Sequence, residues 1–125
     1  MKSTIAAIAI TLALVVPAFA QAIKLGDAYG VAAIRFVNAW SSDQSAAWPT
    51  LSELEAQISS DAEQASYDGI VKIVKADRAA NFAINSKPGA TMADINAYYA
   101  TRQPCYDALK TNLKHRDGTI PAECK

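Results

Sequence analysis

Residues 60–80 read SDAEQASYDGIVKIVKADRAA, and this stretch decides between an all-α fold and a mixed one. Its middle, IVKIVKA, has the β-branched composition that is typical of a strand. Lys72 and Lys75, however, stand three positions apart, a spacing that fits one face of a helix and not the two-residue repeat of a strand. The stretch therefore predicts a helix. The alternative is an α+β domain with strands at 70–75 and 80–84.

The flanking segments also favour helices. Apolar residues recur at helical spacing over 27–41 and again over 95–113. A hydroxyl residue stands three positions before a carboxylate at Thr50, Ser60 and Thr91, which is the pattern of a capped helix start. We therefore predict a small all-α bundle of about four helices with antiparallel neighbours.

Two features leave the helix boundaries open. The second possible cap, at Ser60, either starts a new helix or lies at a break within a longer one over 50–84. Pro104 interrupts an apolar register that continues on both sides, and proline is strained inside a helix. The sequence does not decide whether Pro104 kinks one helix or begins another.

The N-terminus, MKSTIAAIAITLALVVPAFA, has the pattern of a secretory signal peptide. It has one early basic residue, Lys2, then an apolar run over 5–16 and a small-x-small site ending at Ala20. A retained membrane anchor is the alternative, but a spanning helix needs about 20 apolar residues. We expect cleavage after Ala20, a single small helical domain over 21–125, no membrane insertion after cleavage, and a location in the periplasm or outside the cell.

The only two cysteines, Cys105 and Cys124, lie on either side of the only histidine, His115. In an oxidising compartment two thiols are expected to pair. A tail folding back along a helix can bring their Cα atoms within the roughly 7 Å that a disulfide needs. We predict a C-terminal disulfide, and neither a metal site nor a catalytic role for His115.

Charge and motifs narrow the function classes. The chain has 12 basic and 12 acidic side chains and no lysine- or arginine-rich run, which disfavours nucleic acid as a partner. It also lacks a Cys-x-x-Cys motif, a c-type haem motif and a glycine-rich phosphate loop. The sequence therefore indicates no cofactor and no catalytic residue.

The aromatic residues divide into two groups. Most lie on the apolar stripes and are predicted to be core: Tyr29, Phe36, Trp40, Tyr67, Phe82 and Tyr106. Trp48 lies in a polar connection, and the adjacent Tyr98 and Tyr99 point in different directions. These three are the candidates for partner binding, because exposed tryptophan and tyrosine are frequent at binding hot spots.

The expected function is therefore that of an exported, non-enzymatic binding protein of the bacterial periplasm. An inhibitor, an immunity protein, an adaptor or a stress-protective protein would each fit, acting on another envelope or secreted protein. The alternatives are a small secreted enzyme or effector that uses scattered carboxylates and tyrosines, and a helical carrier of an apolar ligand.

Overall fold

The computed structural model describes residues 24–125, so the predicted signal peptide and its cleavage site lie outside the described residues. The helices are α1 (Asp27–Ser42), the single turn α2 (Gln44–Ala47), α3 (Thr50–Ala56), α4 (Asp61–Asn85) and α5 (Met92–Lys114), followed by a 3-10 turn (Ala122–Cys124). No strand occurs within residues 24–125, which confirms the all-α prediction. The α+β alternative is wrong, because 70–75 and 80–84 both lie inside α4.

Two of the three predicted helix starts are capped as expected. The Ser60 side chain accepts a hydrogen bond from the backbone N–H of Glu63, and Thr91 and Asp94 form a capping box. The prediction for Thr50 is wrong. Its hydroxyl donates to the carbonyl of Ala47 at 2.7 Å, because α2 ends just before α3 and offers a free carbonyl there.

Both open boundary questions have an answer. Residues 50–84 form two helices, because Ser60 begins α4 as a new helix after α3 has ended at Ala56. Pro104, in contrast, lies inside the continuous helix α5. Pro104 and Ala100, the residue one turn before it, are both exposed, so the carbonyl that proline leaves unpaired can be hydrated.

The core lies between α1, α4 and α5, and α1 packs principally against α5. The buried apolar side chains include Tyr29, Phe36, Val37, Trp40, Leu54, Ile70, Val74, Tyr106, Leu109 and Leu113. Phe82 does not belong to this group. It is 75% exposed, because it falls outside the stripe by which α4 faces the core.

The C-terminal tail folds back onto α5, as predicted. Cys105 and Cys124 form a disulfide with their Cα atoms 4.7 Å apart. The start of the described chain joins the same region, because the backbone N–H of Leu25 donates to the carbonyl of Arg116 at 3.1 Å. Within the described part of the chain, no helix is long and apolar enough to cross a membrane.

Candidate functional site

Asp77 lies in the interior of the bundle because of its register in α4. The residues Ile70, Ile73, Val74 and Asp77 follow the spacing i, i+3, i+4, i+7, and all four are buried. Asp77 is 0% exposed. The helix therefore inserts a carboxylate into the core, where such a group needs hydrogen-bond donors.

The neighbouring helices supply four donors. Trp40 of α1 donates from Nε1 to Oδ2 of Asp77 at 3.0 Å, and the Tyr106 hydroxyl donates to the same oxygen at 2.5 Å. Tyr98 donates to Oδ1 at 2.9 Å, and Arg102 donates from Nε to Oδ1 at 2.8 Å. Because each carboxylate oxygen accepts about two hydrogen bonds, the acceptor capacity of Asp77 is filled. One side chain thus connects α4 to both α1 and α5.

The network changes the acidity of its donors. Burial, the hydrogen bond to Asp77 and the charge of Asp77 together raise the pKa of Tyr98 to about 12. The same causes raise the pKa of Tyr106. Burial acts to lower the pKa of Arg102, but the charge of Asp77 outweighs it and raises that pKa.

A second buried carboxylate, Glu63, connects the start of α4 to the segment before α1. It accepts hydrogen bonds from the backbone N–H of Gly26 at 2.8 Å, the N–H of Ser59 at 2.7 Å and the Ser59 hydroxyl at 2.9 Å. Burial acts to raise the pKa of Glu63, but these three hydrogen bonds outweigh it and lower the pKa. All its partners are structural, so Glu63 acts as a tie between segments.

An exposed group of side chains lies beside the Asp77 network. We call Trp48, Arg78 and Phe82 the aromatic patch. Trp48 is 44% exposed and Phe82 is 75% exposed. Arg78 places its guanidinium carbon 4.3 Å from the centre of the Trp48 ring, and Phe82 follows Arg78 by one helical turn. The patch therefore combines two apolar rings with one cation.

The core supports the patch from beneath. The ring centres of Trp40 and Trp48 lie 6.4 Å apart, and Trp40 donates a hydrogen bond to Asp77. Trp40, Trp48 and Arg78 line a hollow of about 380 Å³ together with Gln44 and Ser45. Gln44 is held there by a hydrogen bond that its side chain donates from Nε2 to the carbonyl of Trp40 at 2.6 Å.

The structure separates the three predicted partner-binding residues. Trp48 is exposed and lines the hollow. Tyr98 and Tyr99 are partly buried and do not line it. Tyr98 is half-buried with its hydroxyl on Asp77, and Tyr99 packs edge-on against it with ring centres 5.2 Å apart. Trp48 is linked to Tyr98 through Trp40 and Asp77.

Sequence reasoning missed Asp77, Arg78 and the exposure of Phe82. The signal for Asp77 was present, because it continues the apolar stripe of Ile70, Ile73 and Val74. Arg78 had no such signal, since its contact with Trp48 joins two segments that are distant in sequence.

The C-terminal residues lie apart from the patch. His115 is exposed at the end of α5, and both cysteines are in the disulfide. Within residues 24–125, no group of three or more histidine, cysteine or acidic side chains could bind a metal ion. Comparison of the chain with protein-family models, with curated proteins and with solved structures finds no match.

Proposed function

We propose that this chain is an exported, non-enzymatic binding protein of the bacterial envelope, which binds another envelope or secreted protein through the aromatic patch. The observation that carries the proposal is the exposure of Trp48, against whose ring Arg78 packs, and of Phe82, which follows Arg78 by one helical turn. Tryptophan and arginine dominate binding hot spots. Large apolar side chains that cluster on a surface often mark an interface.

The support beneath the patch favours binding without rearrangement. Arg78 directly follows Asp77, whose side chain accepts hydrogen bonds from α1 and α5. Trp48 packs between Arg78 and the fixed ring of Trp40. Side chains that are already ordered lose less conformational entropy on association, so the same contacts give a higher affinity.

The buried polar groups support a binding protein over an enzyme. The carboxylate of Asp77 is fully buried, and side chains of the neighbouring helices use all of its hydrogen-bond acceptor capacity. The carboxylate of Glu63 accepts hydrogen bonds from two backbone N–H groups and one hydroxyl. A general acid or base must reach a substrate proton directly or through one water. Neither carboxylate is placed for this.

Two features support export. The N-terminal sequence has the pattern of a secretory signal. The Cys105–Cys124 disulfide suits an oxidising compartment such as the periplasm.

The test is affinity capture from envelope extract with the 21–125 chain, followed by titration against any purified partner. Trp48→Ala and Phe82→Ala should each weaken binding by about 30-fold, corresponding to the roughly 2 kcal/mol of a hot spot. Met92→Ala is the matched control, because Met92 is 67% exposed and lies outside the aromatic patch.

The control should bind like the parent chain, and all variants should keep the parent helical spectrum. Equal capture by Trp48→Ala and the parent would contradict the proposal. Capture of no protein above background would contradict it as well, and turnover of an envelope component by the chain would favour the enzyme alternative.

A further inference from the structure

A second surface feature, away from the aromatic patch, is a groove between α4 and the C-terminal tail. Its volume is about 690 Å³. It is lined by Gly69, Ile73 and Ala76 of α4 and by Ile120 and Cys124 of the tail. Most of these residues are small or aliphatic, so the groove is predominantly apolar.

The absence of a side chain at Gly69 shapes the groove. A Cβ atom built there would lie only 2.4 Å from Cγ1 of Ile120. Ile120 therefore occupies the place of a side chain at Gly69. The next residues of α4 that line the groove are Ile73 and Ala76. Because the side chain of Ala76 is small, the space beside Cys124 stays open.

The tail cannot easily collapse into this space. The disulfide fixes Cys124 to α5, and the Asn112 side chain donates from Nδ2 to the carbonyl of Thr119 at 2.9 Å. The hydrogen bond from Leu25 to Arg116 anchors the start of the tail. The groove is therefore formed before any ligand binds, and its volume lies within the roughly 300–1,000 Å³ of small-molecule sites.

The charges at the rim indicate the occupant. The two charged residues that line the groove are Lys72 and Lys125, and both side chains are cationic. Lysine commonly lays its aliphatic stem along an apolar surface and keeps its ammonium group in water. An apolar slot with the ammonium group of Lys72 at its edge is complementary to an alkyl chain that ends in an anion.

We propose that this groove binds a single-chain anionic amphiphile of the fatty-acid class, with the alkyl chain along Ile73 and Ile120 and the carboxylate at Lys72. This site is separate from the aromatic patch and does not depend on the function proposed for that patch. It assigns the groove a small ligand and not a protein.

The test is calorimetric titration of the disulfide-bonded 21–125 chain with octanoate, decanoate and dodecanoate, each below its micelle concentration. Burial of one more CH₂ group contributes about 0.8 kcal/mol, so each added CH₂ should tighten binding about fourfold. Dodecylammonium should bind at least about fivefold more weakly than dodecanoate, and Lys72→Glu should reverse this preference.

A variant that fills the groove provides the second measurement. Ala76→Phe places a ring in the slot and should weaken dodecanoate binding more than tenfold. Ala83→Phe is the matched control, because Ala83 is also exposed on α4 but does not line the groove. Thermal melts of both variants should confirm that each is folded. Trp48→Ala should bind dodecanoate like the parent.

Several outcomes would overturn the proposal. They are an absence of binding heat with all three carboxylates, equal affinity of Ala76→Phe and the parent, and equal affinity for the anionic and cationic amphiphiles. Sedimentation distinguishes the remaining case. A dimer that Ala76→Phe abolishes, without any carboxylate binding, would assign the groove to a second copy of the chain.

Discussion

Arg102 donates from Nε to Oδ1 of Asp77 across 2.8 Å, and the two side chains differ in exposure, 16% against 0%. The carboxylate is thus fully enclosed, while its countercharge lies at the edge of the core. The energetic consequence follows from this asymmetry. If the Asp77 carboxylate were removed by substitution, Arg102 could turn towards water, but the donors Trp40 and Tyr106 would remain buried.

Replacing Asp77 should therefore be strongly destabilising. Asp77→Ala removes the acceptor of four hydrogen bonds, and breaking a buried ion pair at one partner costs about 3–5 kcal/mol. Urea denaturation measures the loss. Asp68→Ala is the control on the same helix, because Asp68 is exposed, and it should change stability by no more than about 0.5 kcal/mol. A loss below about 1 kcal/mol at Asp77 would mean that the network contributes little.

The tyrosines should resist ionisation in the folded chain. All five have a raised pKa, with burial as the largest cause, and those of Tyr29 and Tyr98 reach about 12. The stability that neutral tyrosine contributes is complete below the unfolded pKa of about 10 and is lost as the pH rises through the folded values. Absorbance at about 295 nm should show less phenolate at pH 10 in the native protein than in denaturant, where half-ionisation is expected near pH 10. Several tyrosines titrating near pH 10 in the folded chain would contradict this expectation.

Glu63 should make the fold sensitive to acid. Its folded pKa lies below the ordinary value of 4.5, so its ionised form stabilises the protein fully above that value. This contribution is lost as the pH falls from there through the folded pKa. The difference in unfolding free energy between the parent chain and Glu63→Gln should be largest near neutral pH and shrink as the pH falls below 4.5. The exposed Glu55→Gln is the control, and a pH-independent difference for Glu63→Gln would refute the prediction.

Two glycines should respond in opposite directions to alanine. A Cβ atom at Gly118 would lie 2.8 Å from Cβ of Ser66 and 3.0 Å from Leu25, so Gly118→Ala should cost about 1–3 kcal/mol through overpacking. At Gly30, inside α1, a Cβ atom meets nothing within 4 Å. Gly30→Ala should therefore stabilise the helix by up to about 1 kcal/mol. Thermal melts of both variants test the pair, and a stabilising Gly118→Ala would show that the tail can shift away from α4.

The disulfide should act as a staple. The double variant Cys105→Ser/Cys124→Ser should lose about 3 kcal/mol of stability by the loop-entropy estimate for a closed loop of this size. It should keep its helical circular dichroism, because the helix caps do not depend on the bond. Urea denaturation of the reduced parent chain is the internal comparison and should match the variant. A variant as stable as the oxidised parent would show that the tail stays in place through its other contacts.

The helical architecture could be predicted because its signals are local. The cap at Ser60, the capping box at Thr91 and the spacing of Lys72 and Lys75 each depend on residues within one or two helical turns. The disulfide was also predictable, since a chain with only two cysteines allows one pairing. The cap at Thr50 failed because the competing carbonyl of Ala47 belongs to a one-turn helix that has no periodicity to detect.

The candidate site was less predictable because it depends on contacts between distant segments. Asp77 carried a register signal, but a single carboxylate within an apolar stripe gives no indication of its donors, which lie on α1 and α5. Phe82 was assigned to the core with the other aromatic residues that were placed on the apolar stripes. Its exposure follows from how α4 rotates to bury Asp77, which is a tertiary choice that one sequence does not reveal.

Because α1 packs principally against α5, the order of synthesis affects when the chain can complete its fold. About 70 residues separate the end of α1 from the end of α5, which at 5–20 residues per second takes roughly 4 to 14 seconds to synthesise. During this interval α2, α3 and α4 can cover only part of the apolar face of α1, because its principal partner α5 has not yet been made. The packing of the core is therefore completed only when the last helix emerges, and until then the part of α1 that α5 covers stays exposed.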